Sequence, residues 1–205
     1  MLASFADRLD KMKIILGSQS PRRRELLSGI FKKFEVIPSE FDESTINKFS
    51  FPDPRDFVKV QSQKKAEELA NRIGDADIVI TADTIVAIDG KILGKPHTHE
   101  VAYQMISELN GRPHQVITGV HVVFPKLKKS LSFTETTQVI FDKLPEAAVK
   151  AYADSDDPLD KAGAYGIQSG AMSLIKKIDG DYFNVVGLPV NHLAREIYNV
   201  LAETA

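Results

Sequence analysis

The chain of 205 residues has no cysteine, no tryptophan and no apolar run approaching the roughly 20 residues that a membrane-spanning helix needs. Without cysteine there is no disulfide, no thiolate metal site and no cysteine nucleophile, a usage that fits a reducing compartment. An excess of charge of one sign is also missing. With 26 Lys+Arg against 28 Asp+Glu, the net charge is -2, so no global field recruits nucleic acid or anionic membrane, and any basic site must be local. The lack of tryptophan, with aromatics at 8%, leaves an RNA-binding surface without stacking platforms. The first residues do not read as a targeting peptide, because Asp7 and Asp10 stand where apolar or basic residues would be needed. Leu2, Phe5, Leu9 and Met12 repeat instead at helical spacing, so residues 1–12 are expected to form an amphipathic leader or a frayed tail. No repeat, low-complexity tract or long linker divides the rest, and residues 13–205 are expected to be a single domain. The expectation is a soluble cytoplasmic protein with neither a nucleic-acid nor a membrane partner.

What is present is a mixture of strand and helix patterns. A short apolar run over 13–16 ends at Gly17, and Ser20-Pro21 supplies an N-cap and a first helical residue for a helix that stops near Gly29. A second strand is expected over 34–38, and then a polar connection punctuated by Pro52 and Pro54 leads to a helix over 57–73. Residues 78–88 are apolar except for Thr81, Asp83 and Thr84, the best candidate for a central strand, and Asp89-Gly90 follows as a hairpin turn. A helix is expected over 100–109, strands over 116–124 and 134–141, a helix over 145–153, a strand over 172–178 and a closing helix over 189–201. The fold class is therefore α/β, with a mixed, twisted sheet flanked by helices.

Several groups of residues point to chemistry. Ser18, Ser20 and the cations Arg22, Arg23 and Arg24 gather where a loop enters a helix. Cations are unfavourable at the positive end of a helix dipole unless an anion joins them, so hydroxyls, free N–H groups and guanidinium forks here describe a phosphate cradle. The alternative is that the arginines fan into solvent. Asp83, a lone carboxylate in an apolar strand, must meet a cation, a metal or water; it activates water or holds Mg²⁺, or else serves as a turn aspartate. Glu40 and Asp42, two apart in an extended segment, project to one side as hard oxygen donors or form a solvated acidic loop. Lys65 lies among helix charges where surface pairing is the default, whereas Lys95, between Gly94 and Pro96, is placed to reach a phosphate. The loop 160–168 is rich in small residues and ends in Gln168, whose amide is suited to a base edge. His97 and His99 lack a third ligand and read as an exposed loop. No G-x-G-x-x-G, Walker, G-x-S-x-G or H-E-x-x-H pattern occurs.

Taken in order, Ser18-x-Ser20-Pro21-Arg22-Arg23, Ser39-Glu40-x-Asp42-Glu43, Lys65-Ala66, Ala82-Asp83-Thr84, Gly94-Lys95-Pro96, Gly111-Arg112-x-His114, Thr118-Gly119, the loop 160–168 and the segment from Asn184 to Pro189 strongly resemble the Maf family of nucleotide pyrophosphatases. The resemblance implies a fold similar to the inosine triphosphate pyrophosphatases, with two lobes around a central cleft. It also implies hydrolysis of nucleoside triphosphates to the monophosphate and pyrophosphate with a divalent metal, Mg²⁺ first and Mn²⁺ or Co²⁺ as alternatives. In that scheme Asp83 is the water-activating base, Ser18, Ser20, Arg23, Lys65 and Lys95 bind phosphate, and Glu40 joins Asp83 at the metal. Arg22, Thr84 and Gln168 match the triad of the branch acting on dTTP and UTP; the 7-methyl-GTP branch typically carries a bulky aromatic at the first position and differs at the other two. Ser169 departs from the glycine that many relatives have there. A homodimer is implied as well. The alternative is a non-catalytic nucleotide-binding regulator of cell division, a process with which the family has a historical association.

Overall fold

The computed structural model describes residues 1–204. In chain order the strands are β1 (Ile14–Leu16), β2 (Glu35–Val36), β3 (Ile78–Ile88), β4 (Lys91–Leu93), β5 (Pro113–Phe124), β6 (Lys129–Phe141) and β7 (Ile175–Asp179). The helices are α1 (Ala6–Leu9), α2 (Pro21–Ser28), α3 (Pro54–Arg72), α4 (His99–Leu109), α5 (Glu146–Ala153), α6 (Tyr182–Val186) and α7 (Val190–Ala202). The strands form one seven-stranded mixed sheet in the order β2-β1-β3-β5-β6-β7, with β4 paired to β3. β1 runs parallel to β2 and β3, and the remaining pairs are antiparallel.

β3 organises the molecule. One of its edges pairs with β5 from Val79 to Ala87. The other edge is shared: β1 takes Ile78 to Ile80 and β4 takes Val86 to Ile88. Between them, residues 81–85 have no strand partner on that edge, and Asp83 lies in the gap.

The two faces of β3 are covered differently. Side chains alternate along a strand, and on one face Ile78 and Ile80 pack with α2 and α7 residues such as Leu27, Leu193 and Ile197. Val86 and Ile88 on the same face pack with Ala102 and Ile106 of α4 and Val149 of α5. The two halves of this core part near Thr84. On the opposite face α3 lies across the sheet, setting Phe57 and Val58 against Ile85, Ala87 and Ile117, and Leu69 against Ile15 and Val79.

Several boundaries differ from the sequence expectation for definable reasons. α3 begins at Pro54, not residue 57, because Asp53 caps it by accepting from the Arg55 N–H; the prolines mark a helix start. β5 and β6 are longer than expected and meet in a hairpin over 125–128, where Lys128 adopts φ 50°. The strand expected from 172 starts at Ile175, after a 3-10 turn over Gly170–Ser173. Residues 2–9 are helical and packed: Leu2 and Leu9 are buried in the core beside β1 and α7, Phe5 rests on Tyr198, and Arg8 donates to the Leu201 carbonyl and the Thr204 hydroxyl. Among the described residues no helix is long and apolar enough to cross a membrane.

Candidate active site

A cavity of about 550 Å³ opens at the gap in the β3 edge. Ser18, Ser20, Arg22, Arg23, Lys65, Asp83, Thr84, Lys95 and Gln168, expected from sequence to act together, all line it. The cations Arg22, Arg23, Lys65, Lys95 and Lys161 outnumber the anions Glu43, Asp83 and Asp160 around its wall. The excess of cations is local, as the balanced overall charge allows, and its sign suits a polyanion.

Asp83 and Thr84 are consecutive and point to opposite faces of β3, so each meets a different set of partners. Asp83, with 15% of its side chain exposed, turns toward α3, where Lys65 Nζ lies 2.9 Å from its Oδ1. The same ammonium, on a side chain only 9% exposed, lies 2.9 Å from Glu43 Oε2. α3 comes this close because Gly119, opposite Asp83 in the β5 register, has no side chain: a Cβ there would stand 2.5 Å from the Val58 backbone.

Glu40 is not brought to Asp83. Its side chain is 75% exposed and lies 3.6 Å from Arg72, while its N–H donates to Glu68. The extended reading of 39–43 fails after Asp42, which caps a 3-10 turn over Glu43–Thr45 by accepting from the Ser44 N–H. That turn swings Glu43, not Glu40, toward Lys65. Hydrogen bonds from Ser44 hold the Asp42 carboxyl below its ordinary pKa, so its charge serves the turn. Asp83 and Glu43 are the two cavity carboxylates gathered at Lys65. Among the described residues, no cluster of three His, Asp or Glu side chains makes a self-sufficient metal cage.

Arg23 fills the β3 gap from the other side. Its Nε donates to the Gly187 carbonyl at 2.8 Å, one terminal nitrogen donates to the Ala82 carbonyl at 2.9 Å, and the other donates to the Thr84 hydroxyl at 2.8 Å. The Ala82 carbonyl, left without a strand partner, is thus satisfied by a guanidinium. Thr84 Oγ1 is also 3.0 Å from Thr118 Oγ1, which donates to the Asn184 carbonyl at 3.4 Å. Burial lowers the Arg23 pKa, against the pull of the Asp83 and Glu43 charges. Most of its donors are therefore engaged by the protein, and Thr84 holds its orientation.

The start of α2 is better supplied with free donors. Ser18 Oγ accepts from the Ser20 N–H and from Arg23, and Ser20 Oγ accepts from the Arg23 N–H as the helix cap. Neither hydroxyl proton has a protein acceptor among the described residues. Lys95 is exposed and unpaired among the described residues, on a turn secured by the Gly163 N–H donating to the Gly94 carbonyl. Arg22 lies 4.0 Å from Asp160 across the cavity mouth. His97 occupies a left-handed turn position, and His99, the first residue of α4, bonds the Ala153 carbonyl.

A family model described as Maf-like protein matches residues 13–200. The chain belongs to the Maf family. It is 47% identical over 186 residues to a dTTP/UTP pyrophosphatase of Carboxydothermus hydrogenoformans, covering 91% of this chain and 97% of that one. It is 43% identical over 187 residues to a dTTP/UTP pyrophosphatase of Alkaliphilus oremlandii, covering 91% and 95%, and 42% identical over 188 residues to one of Clostridium perfringens, covering 92% and 97%.

In this Maf chain, some site residues are ones that sequence reasoning gave no role. Glu43, Thr118 and Gly187 lie inside the recognisable motifs, but only the folded arrangement shows what each touches. His114 is buried, and its Nε2 is 2.9 Å from the hydroxyl of Tyr165, a cavity residue. Burial brings the His114 pKa down to about 4 and raises that of Tyr165, so the pair is neutral near pH 7 and supports the wall without adding charge.

Proposed function

We propose that this chain hydrolyses nucleoside triphosphates, dTTP and UTP among them, to the nucleoside monophosphate and pyrophosphate, clearing them from the nucleotide pool. The observation that carries the reading is one cavity lined both by Asp83, paired with Lys65, and by the cations at the start of α2. Its relatives' names support the same chemistry. The Ser18 and Ser20 hydroxyls, Arg22, Lys95 and the remaining N–H of Arg23 receive the polyphosphate oxygens. Asp83 accepts a proton from the water that attacks the α-phosphorus. The bond from that phosphorus to the bridging oxygen breaks, its electron pair stays on the β-phosphate, and pyrophosphate leaves. Lys65 keeps Asp83 and Glu43 in place during this step.

The carboxylates of Asp83 and Glu43 would hold a Mg²⁺, with Mn²⁺ or Co²⁺ as alternatives. Such a metal, when bound, neutralises phosphate charge. Gln168 reads the pyrimidine edge, Arg22 closes the mouth, and Thr84 acts on selection through Arg23. The absence of cysteine supports a cytoplasmic site of action, and family membership supports a homodimer.

The test is to incubate purified protein and Mg²⁺ with a nucleotide panel and to identify the products. dTTP and UTP are expected to yield monophosphate and pyrophosphate. Release of orthophosphate alone would overturn the reading, and nucleotide binding without turnover would replace it with the regulator. In D83N, turnover is expected to fall at least a hundredfold with nucleotide affinity largely kept; near-normal activity would remove Asp83 from the mechanism.

A further inference from the structure

The loop that carries Gln168 is tied down by one carboxylate. Asp157 Oδ2 accepts from the Tyr152 hydroxyl at 2.7 Å and from the Ser169 hydroxyl at 2.9 Å. Lys161 Nζ lies 3.2 Å from Asp157 Oδ1 and donates to the Asp157 carbonyl at 2.5 Å. Burial opposes charge on this carboxyl, but the bonds from Tyr152, Ser169 and Lys161 outweigh it and hold its pKa below the ordinary range. Tyr152 stands on α5 with its ring in the core, so the hub is anchored to the framework.

Within the loop, a Cβ on Gly166 would lie 2.6 Å from both Lys161 Cε and Ser169 Oγ. Those two side chains therefore close directly over the backbone at Gly166. Gln168 is caught between buried Ile167 and fastened Ser169, while its own amide is exposed at the cavity and has no protein partner among the described residues.

Such an amide selects a base only if its position is held. Rotated by 180°, it presents a donor where the acceptor stood. Uracil and thymine offer a carbonyl beside N3–H, whereas cytosine offers an amine beside a bare N3, so a Gln168 free to shift and rotate serves both. We propose that the Asp157 hub, acting through Ser169, positions Gln168 toward the base and makes Ser169 a specificity-determining residue of this chain. The proposal rests on the pyrimidine triphosphate reading above.

The test compares the parent protein with S169A, S169T and D157N. The measurements are steady-state kinetics on UTP and CTP, UTP affinity, and hydrogen exchange over residues 160–170 without nucleotide. Loss of the Ser169 hydrogen bond, felt by the base only through Gln168, is expected to raise the UTP KM of S169A about three- to tenfold, with a smaller change in kcat. The ratio of kcat/KM for UTP over CTP should fall by a similar factor. Exchange over 160–170 should accelerate in S169A and D157N, and S169T, which keeps the hydroxyl, should restore both selectivity and protection. A KM and a UTP-to-CTP ratio within twofold of the parent in S169A would overturn the proposal. If the parent hydrolyses neither nucleotide, the functional reading fails on its own; the hub is then upheld by faster exchange with weaker UTP binding in S169A, and overturned if both are unchanged.

Discussion

Glu40 and Glu43 are chemically identical and three residues apart, yet only Glu43 reaches Lys65. The difference is one of confinement. Lys65 is buried, and a buried ammonium needs a close carboxylate to offset its lost hydration; it has two, Asp83 and Glu43, each at 2.9 Å. Glu40 faces Arg72 in solvent, where such a pair contributes little. E43Q is therefore expected to lower kcat/KM on UTP by a hundredfold or more, and E40Q by less than twofold, both read by steady-state pyrophosphate release. Equal effects would show that the turn over 43–45 does not set the site. The clue to this turn was present in the sequence as Asp42-x-Ser44, an aspartate able to cap the N–H two residues on. Alternation in an extended segment gave the competing reading, which set Glu40 and Asp42 on one side and gave Glu43 no part. The role of Arg23 was legible only in part. Its position at a helix start marks it for anions, but the carbonyl of Ala82 becomes available only because β3 is shared between β1 and β4, a long-range fact that no local pattern carries.

Among the elements, α3 decides whether Asp83 and Lys65 meet. The helix lies across β3 and β5 at the height of Gly119, which pairs with Asp83 in the strand register. An added methyl there would meet the Val58 carbonyl carbon and oxygen at 2.5 Å and the Lys59 nitrogen at 2.8 Å, all backbone atoms that cannot rotate away. The helix would have to lift. G119A is expected to cost about 2–3 kcal/mol of stability by overpacking and to lower kcat about tenfold by drawing Lys65 off Asp83. Urea unfolding and kinetics on the same preparation check both parts, and loss of stability with an unchanged kcat would separate the helix position from the chemistry. The elements themselves were well marked in the sequence. β3, its Asp89-Gly90 turn, α4, α5 and α7 follow from apolar periodicity and breakers. The early part of β6 was marked but passed over beside the basic turn: Leu131 and Phe133 alternate with Ser130 and Ser132 and pack against the core. The early part of β5, Pro113 to Gln115, carries no such alternation, and pairing with β6 makes it strand.

At the scale of the molecule, the cavity exists because the core on one face of β3 is built in two halves that part near Thr84, one under α2 and α7 and the other under α4 and α5. The half under α7 is closed from outside by residues 1–12. Leu2 and Leu9 are each 6% exposed there, and Arg8 occupies carbonyl and hydroxyl acceptors at the end of α7. Full burial of two leucines is worth about 3–6 kcal/mol in total, an upper figure because the unfolded chain buries some of this area already. Yet none of these twelve residues lines the cavity. Removing them should therefore separate stability from activity: the midpoint of thermal unfolding is expected to fall by about 10 °C or more, while kcat/KM on UTP at 25 °C stays within twofold. R8A, which leaves the leucines in place, should lose only about 1 kcal/mol through the helix-end contacts. Calorimetry on the three proteins decides the matter. A deletion that unfolds with the parent would mean the segment is a passive tail, and one that keeps its stability but loses turnover would mean that α7 communicates with Gly187 and Arg23 in a way packing alone does not explain.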